Sequence, residues 1–306
     1  MTESILVSVP GNALREEVGE LDGVEFLEWD MSGPPPVDTI DIVIQPYMDG
    51  TARLANLTGV TTRLVQSQSI GYDGVGDVLP AGHLFANAST VHETSTAELT
   101  LALILASQRG IPQFVRAADE GRWAPARLES LADRTVLLLG YGGVGKAIED
   151  RLLPFETKVV RVASRARSDE RGPIHDLDDL PELLPEADIV VVGVPLTEAT
   201  TKLVDEHFLA VMRDGSLLVN IARGQVADTD AILRHAESGR LRFALDVTDP
   251  EPLPDGHPLF SFPNVLISPH VGGASTAMLP RMARLVRDQV ERMRRGDEPA
   301  NIVLRS

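Results

Sequence analysis

The sequence predicts an α/β protein of two lobes, each built on a parallel sheet, and three observations carry that prediction. Its 306 residues exceed what one compact lobe usually holds, and a hydrophobic content of 43% is enough for two cores. Short apolar, β-rich runs alternate with polar or helix-capable stretches in two successive series. The second series opens on a glycine-rich turn that joins an apolar run directly to a helical stretch.

The first series comprises Ile5–Val9, Val24–Trp29, Asp41–Ile44, Arg63–Gln66 and His83–Ala86. Gly33-Pro34-Pro35-Pro36 breaks any regular element and reads as a surface connection. From Thr94 to Ser107 the texture becomes rich in Ala and Leu, with Leu99, Leu103 and Ala106 at helical spacing, which predicts a largely buried helix. The second series runs through Val136–Leu139, Lys158–Ala163, Ile189–Val194, Ser216–Asn220, Phe243–Val247 and Val265–Ser268, short apolar runs of the kind that a two-sided sheet buries. A closing helix from Ala277 onward aligns Met278, Met282, Leu285, Val286, Gln289, Val290 and Met293, with Gly296 as its expected C-cap.

A formal charge of −17 argues against nucleic-acid or anionic-membrane partners, because a phosphate surface needs a basic face to displace its counterions. An anionic substrate must then be drawn in by individual cations or backbone amides. Cysteine is absent, which removes disulfides, thiolate nucleophiles and thiolate metal sites together, and no metal is expected. No window approaches the apolar length of a membrane span, and MTESILVSVPG has no basic segment before its apolar run. A soluble, cytoplasmic protein is expected.

Gly140-Tyr141-Gly142-Gly143-Val144-Gly145 fits G-x-G-x-x-G, and it stands between the strand Val136–Leu139 and a helix expected over Lys146–Leu153. That is the context of the dinucleotide-binding, or Rossmann, fingerprint. Gly140 permits the turn, Gly142 lets the backbone approach a pyrophosphate, Gly145 lets the helix pack on the strand, and the N–H groups at the helix start meet anionic oxygens. NAD-specific folds place a carboxylate at the end of the next strand, but here that end reads Ser164-Arg165-Ala166-Arg167. Ser164 and Arg165 are suited to bond a 2′-phosphate, so NADP(H) is favoured, with NAD(H) as the alternative.

Three later strand ends carry polar residues beyond structural need: Asn220-Ile221-Ala222-Arg223-Gly224, Asp246-Val247-Thr248-Asp249-Pro250-Glu251-Pro252-Leu253 and Ser268-Pro269-His270-Val271-Gly272-Gly273. All follow strands, so they can converge at the carboxyl edge of one sheet, where ligands bind. With Gln66-Ser67-Gln68-Ser69-Ile70-Gly71-Tyr72-Asp73, Thr96-Ala97-Glu98, the glycine turn and Val194-Pro195-Leu196-Thr197, these segments resemble the D-isomer-specific 2-hydroxyacid dehydrogenases over nearly the whole chain.

The resemblance implies a catalytic set of Arg223, Glu251 and His270. Reducing a 2-oxo acid needs a proton for the developing alkoxide and a cation for the carboxylate or carbonyl. His270 suits the first as general acid, and as general base in reverse. Glu251 would bond the other ring nitrogen, favouring imidazolium and fixing the ring, and Arg223 offers a planar fork of donors. By resemblance, the N–H groups of Ile70 and Gly71 clamp the substrate carboxylate and Asp246 holds the nicotinamide carboxamide. Gly143, Val144, Val194, Pro195, Ile221, Gly272 and Gly273 complete the implied cofactor contacts.

The resemblance further implies a flavodoxin-like substrate domain, residues 1–97 with 276–306, and an inserted doubly wound Rossmann domain, residues 98–275. It implies a cleft that closes over substrate and a homodimer formed through about Glu98 to Trp123. Thr248 stands where the family often has an aromatic. Gln45-Pro46-Tyr47 stands where phosphoglycerate dehydrogenases of the family commonly present an Arg, which lowers that NAD-dependent reading. Glyoxylate or hydroxypyruvate reduction with NADPH is the leading expectation for this small 2-oxo/2-hydroxy carboxylate enzyme. Tyr47 and Met48 either line the substrate pocket or pack as ordinary loop. Two rivals are a non-catalytic nucleotide-sensing corepressor-like protein, which the Arg223, Glu251 and His270 set argues against, and an amino-acid dehydrogenase, for which Lys146, Lys158 and Lys202 are poorly placed.

Overall fold

A computed structural model describes residues 4–306. In chain order the first strands are β1 (Ile5–Val9), β2 (Val24–Glu28), β3 (Thr39–Ile44), β4 (Thr61–Gln66) and β5 (Leu84–Ala86). They are followed by β6 (Thr135–Leu139), β7 (Lys158–Val162), β8 (Arg167–Asp169), β9 (Gly172–Ile174), β10 (Ile189–Val192), β11 (Leu217–Asn220), β12 (Arg242–Leu245), β13 (Val265–Ile267) and β14 (Ile302–Arg305). The chain divides into two compact units, one broken off at His92 and resumed at Ser275, the other spanning Glu93–Ala274.

The first unit carries a six-stranded sheet in the order β14-β5-β4-β3-β1-β2, so its five parallel strands follow the flavodoxin-like 2-1-3-4-5 arrangement. On one face Val7, Ile42, Ile44 and Leu64 pack against Met282, Val286 and Val290 of the helix Met278–Arg295, while Val43, Val65 and Phe85 face a second core with Leu54 and Leu57. Alternation along the strands divides the residues between these faces. The helix buries Met282, Leu285, Val286, Gln289, Val290 and Met293 on the expected stripe, with Met278 half-buried, and ends at Gly296 in the left-handed region, φ 73°. β14 pairs antiparallel with β5 and was not expected from the sequence.

The second unit carries a six-stranded parallel sheet, β13-β12-β11-β10-β6-β7. Leu137 and Leu139 face one core and Val136 and Leu138 the other, which is why the sequence reads as an unbroken apolar run. The direction of winding reverses between β6 and β10, so a crevice-forming switch point lies at their carboxyl ends.

Three local expectations shift. The Ala- and Leu-rich helix spans Glu93–Gln108, and its buried side is Ala97, Thr100, Leu101, Leu103, Ile104 and Gln108, with Leu99 and Ala106 only half-buried. Because this helix packs as one piece on the helix Gly143–Leu152, the unit boundary falls between His92 and Glu93 and not between residues 97 and 98; the return falls between Ala274 and Ser275, one residue before the expected position. The helix after the glycine turn starts at Gly143, not Lys146, since the turn glycines form its first turn despite their low propensity.

Candidate functional site

The glycine turn has the shape a pyrophosphate requires. Gly140 is at φ 109°, and a Cβ there would fall 2.5 Å from the carbonyl oxygen of Gly193, just after β10. A Cβ on Gly145 would fall 2.4 Å from the Gly140 oxygen, so helix and strand approach through hydrogen atoms alone. Gly142 instead faces open space, with nothing within 4 Å of its virtual Cβ, and it caps the helix Gly143–Leu152 without any side-chain hydrogen bond. The first N–H groups of that helix are therefore left for an anion. These features fit a dinucleotide, and Gly140, Gly142, Gly143, Val144 and Gly145 would hold its pyrophosphate. The segment Val194-Pro195 lies against the turn, and Ile221 packs on Gly193.

The end of β7 is followed by Ser164 and Arg165, both exposed, and then by Arg167, which opens the β8–β9 hairpin. Arg167 donates to the Tyr141 carbonyl at 3.2 Å, so a cation is fastened to the glycine turn itself. No carboxylate occurs in the stretch Ser164–Arg167.

At the far side of the sheet, β11, β12 and β13 are parallel neighbours, and their following loops carry the remaining candidates at one edge. His270 Nδ1 and Glu251 Oε1 are 2.5 Å apart, the two side chains being 34% and 41% exposed. This leaves Nε2 of the imidazole for another partner. His270 has φ 53°, and its N–H donates to the Asp246 carbonyl at 2.7 Å. The Arg223 loop is folded by Asn220, whose Oδ1 accepts from the Ala222 N–H at 3.0 Å and whose Nδ2 donates to the Arg223 carbonyl at 3.1 Å. A Cβ on Gly224 would fall 1.8 Å from the Thr248 oxygen, so this loop lies directly against the one that leads to Glu251. Arg223 also donates to the Ala222 carbonyl at 2.7 Å, which holds the guanidinium near its own loop.

Asp246 is buried, and its carboxylate is already engaged. Oδ1 accepts from Ser268 Oγ at 2.6 Å and the Val271 N–H at 2.9 Å, and Oδ2 accepts from the Gly272 N–H at 2.9 Å. It thus braces the loop that bears His270, Gly272 and Gly273, with one lone pair of Oδ2 remaining for a further donor. The strand-end pattern singles out Asp246 but not this bracing, nor Asn220 and Ser268 as its counterparts; each is a polar residue at the end of an apolar strand, which is the signal that could have found them.

Ile70 and Gly71 follow β4 at the carboxyl edge of the first sheet. Their loop is set by Asn87 Nδ2, which donates to the Ile70 carbonyl at 2.8 Å, and their N–H groups meet no acceptor among the described residues. Tyr47 stacks on His92 with ring centroids 5.6 Å apart, and His92 Nε2 contacts the Gln68 carbonyl at 2.6 Å, so Tyr47 is held by loop packing. His92 was not anticipated. Gln45 is buried and donates to the Gly50 carbonyl at 2.8 Å, in place of a cation. Among the described residues no helix is long and apolar enough to cross a membrane.

Residues 101–272 match the model of the D-isomer specific 2-hydroxyacid dehydrogenase NAD-binding domain. A glyoxylate reductase of Thermofilum pendens is 32% identical over 252 residues, covering 79% of this chain and 74% of the relative. The glyoxylate reductase/hydroxypyruvate reductase of Homo sapiens is 28% identical and covers 89% of each chain. A D-isomer specific 2-hydroxyacid dehydrogenase from Xanthobacter autotrophicus Py2, solved with NADPH and MES, is 26% identical with a TM-score of 0.82, covering 99% of this chain and 98% of that one. With the glycine turn, the ordered strand-end loops and these likenesses together, the chain belongs to the D-isomer-specific 2-hydroxyacid dehydrogenase family and is an NAD(P)-dependent oxidoreductase acting on CH–OH groups.

Proposed function

We propose that the protein reduces glyoxylate or hydroxypyruvate with NADPH, using His270 as the proton donor, Glu251 as its orienting partner and Arg223 as the substrate cation. The observation that carries this reading is the 2.5 Å contact between His270 Nδ1 and Glu251 Oε1 at adjacent strand ends, beside the loop of Arg223. A nicotinamide, when bound, supplies the hydride for the carbonyl carbon. His270 gives its Nε2 proton to the carbonyl oxygen as that oxygen gains charge, and takes it back when a hydroxy acid is oxidised. Glu251 holds Nδ1–H and so fixes both tautomer and ring orientation. Arg223 presents donors to a carboxylate or a polarised carbonyl, with the Ile70 and Gly71 amides proposed for the carboxylate.

Several features favour a small substrate and NADPH. The Ser164-Arg165-Ala166-Arg167 run offers hydroxyl and guanidinium donors to a 2′-phosphate and no repelling carboxylate. Gln45 offers no cation for a phosphorylated substrate, which disfavours a phosphoglycerate dehydrogenase-like activity. The relatives from Thermofilum pendens and Homo sapiens, a glyoxylate reductase and a glyoxylate reductase/hydroxypyruvate reductase, favour the small substrate. We also propose a homodimer through about Glu98 to Trp123, a stretch in which Ile111, Phe114, Val115 and the 96%-exposed Trp123 present apolar surface. Sedimentation as a monomer at micromolar concentration would contradict it.

The test is NADPH oxidation screened against glyoxylate, hydroxypyruvate, pyruvate and bulkier 2-oxo acids, repeated with NADH. The expected result is highest kcat/KM for glyoxylate or hydroxypyruvate with NADPH. A clear preference for NADH, or for a bulky 2-oxo acid, would overturn the assignment.

A further inference from the structure

Beneath the glycine turn lies a charged cluster that the catalytic chemistry does not use. Glu149 stands on the helix Gly143–Leu152 with its side chain 0% exposed, on the side that packs against the sheet. A carboxylate in that position is costly unless fully paired. Its Oε1 accepts two hydrogen bonds from Arg161 of β7, the Nε one at 2.6 Å; its Oε2 accepts from the Tyr141 hydroxyl and from Arg171 Nη1 at 2.9 Å. Arg171 sits in the turn between β8 and β9 and also reaches Asp150 at 2.7 Å. Arg161 Nη1 closes the ring by donating to the Arg171 carbonyl at 2.7 Å. Burial pushes the Glu149 carboxyl up, but the bonds from Arg161, Tyr141 and Arg171 outweigh it and leave the group below the usual carboxylate range, ionised at neutral pH.

The partners of Glu149 are distributed in a telling way. Tyr141 belongs to the glycine turn, Arg161 lies three positions before Ser164, and Arg171 lies four positions after Arg167. The loop carrying Ser164, Arg165 and Arg167 is thus pinned at both ends to one carboxylate, and the same carboxylate pins the turn to which Arg167 is bonded. We infer that Glu149 is a positioning residue for recognition of the adenosine end of the cofactor, fixing the Ser164–Arg167 loop relative to the glycine turn. Without its charge, two guanidinium groups lose their common partner and the hairpin loses its register on the turn. The inference rests on the NADPH reading above.

The experiment is calorimetric binding of NADP⁺, NAD⁺ and 2′,5′-ADP to the wild type, Glu149→Gln and Arg171→Gln, with melting temperature and kcat at saturating NADPH recorded alongside. Glu149→Gln is expected to weaken NADP⁺ and 2′,5′-ADP about tenfold while NAD⁺ affinity and saturated kcat stay within about twofold. Arg171→Gln, at a partly exposed position, should give about a threefold loss of the same kind and serves if Glu149→Gln does not fold. An unchanged NADP⁺-to-NAD⁺ affinity ratio in a folded variant, with only the melting temperature lowered, overturns the positioning role. A wild type that binds NAD⁺ more tightly overturns the NADPH reading instead, and the change in 2′,5′-ADP affinity between wild type and variant still decides for or against Glu149.

Discussion

The two ends of the second sheet treat a carboxylate in opposite ways. Beyond β12 and β13, Glu251 is 41% exposed and, among the described residues, bonded to His270, which is itself within reach of solvent. Beneath β6 and β7, Glu149 is wholly buried, shared between two arginines and a tyrosine, and held ionised. A proton-transfer site needs a group that changes charge at ordinary cost, which a solvated pair allows. A site that only recognises a fixed anion needs donors that never move, which a buried and saturated carboxylate provides. On the proposed function, the contrast matches a solvated pair suited to chemistry at one end of the sheet and a fixed charge suited to cofactor selection at the other.

His270→Ala should impair turnover most. With the proton donor gone, kcat for glyoxylate is expected to fall about 10³-fold while the calorimetric Kd for NADPH stays within about twofold. Turnover within about tenfold of wild type would remove His270 from the chemistry. Glu251→Gln keeps the shape but loses the charge behind the imidazole, and kcat should drop about 10²-fold, read in the same assay. An unaltered kcat would reduce Glu251 to a bystander. Arg223→Lys replaces a planar fork with a point charge; kcat/KM should fall about 30-fold, mostly through KM. A fall confined to kcat would move Arg223 from substrate binding to transition-state stabilisation alone.

The smallest effect concerns stability. Because the native Glu149 carboxyl lies below its ordinary value of 4.5, the unfolded chain takes up a proton there first as pH falls. Its contribution is complete above about pH 4.5 and is lost as pH drops through the native value. Between about pH 5 and about pH 3 the melting temperature of wild type should therefore fall by about 2 to 4 °C more than that of Glu149→Gln. Parallel pH profiles for the two proteins would contradict the ionised, paired state.

Strands buried on both faces leave unbroken apolar runs, so β6, β10 and β11 could be read directly, as could the amphipathic stripe of the closing helix. β14 could not, because a strand of four residues carries too short a period, and neither could β8, which is exposed and polar, nor β9, which is only Gly-Pro-Ile. The loops of Arg223, Glu251 and His270 were legible because each follows a short apolar strand. What supports them was not. Asn220 and Asp246 act through bonds to backbone groups, and Ser268 through a bond to the Asp246 carboxylate, all partners that only the folded loops bring near. Glu149 left a trace in the sequence, a charge seven residues after Gly142 on the packed side of a helix, but its partners Arg161 and Arg171 come from a strand and a hairpin.

The division of labour is tested most directly by measuring two quantities on both His270→Ala and Glu149→Gln: kcat at saturating NADPH and the Kd for NADP⁺. A crossed result is expected, with the first variant losing kcat at unchanged Kd and the second losing affinity at unchanged kcat. If both variants move the same quantity, the separation of chemistry from recognition along this sheet is wrong.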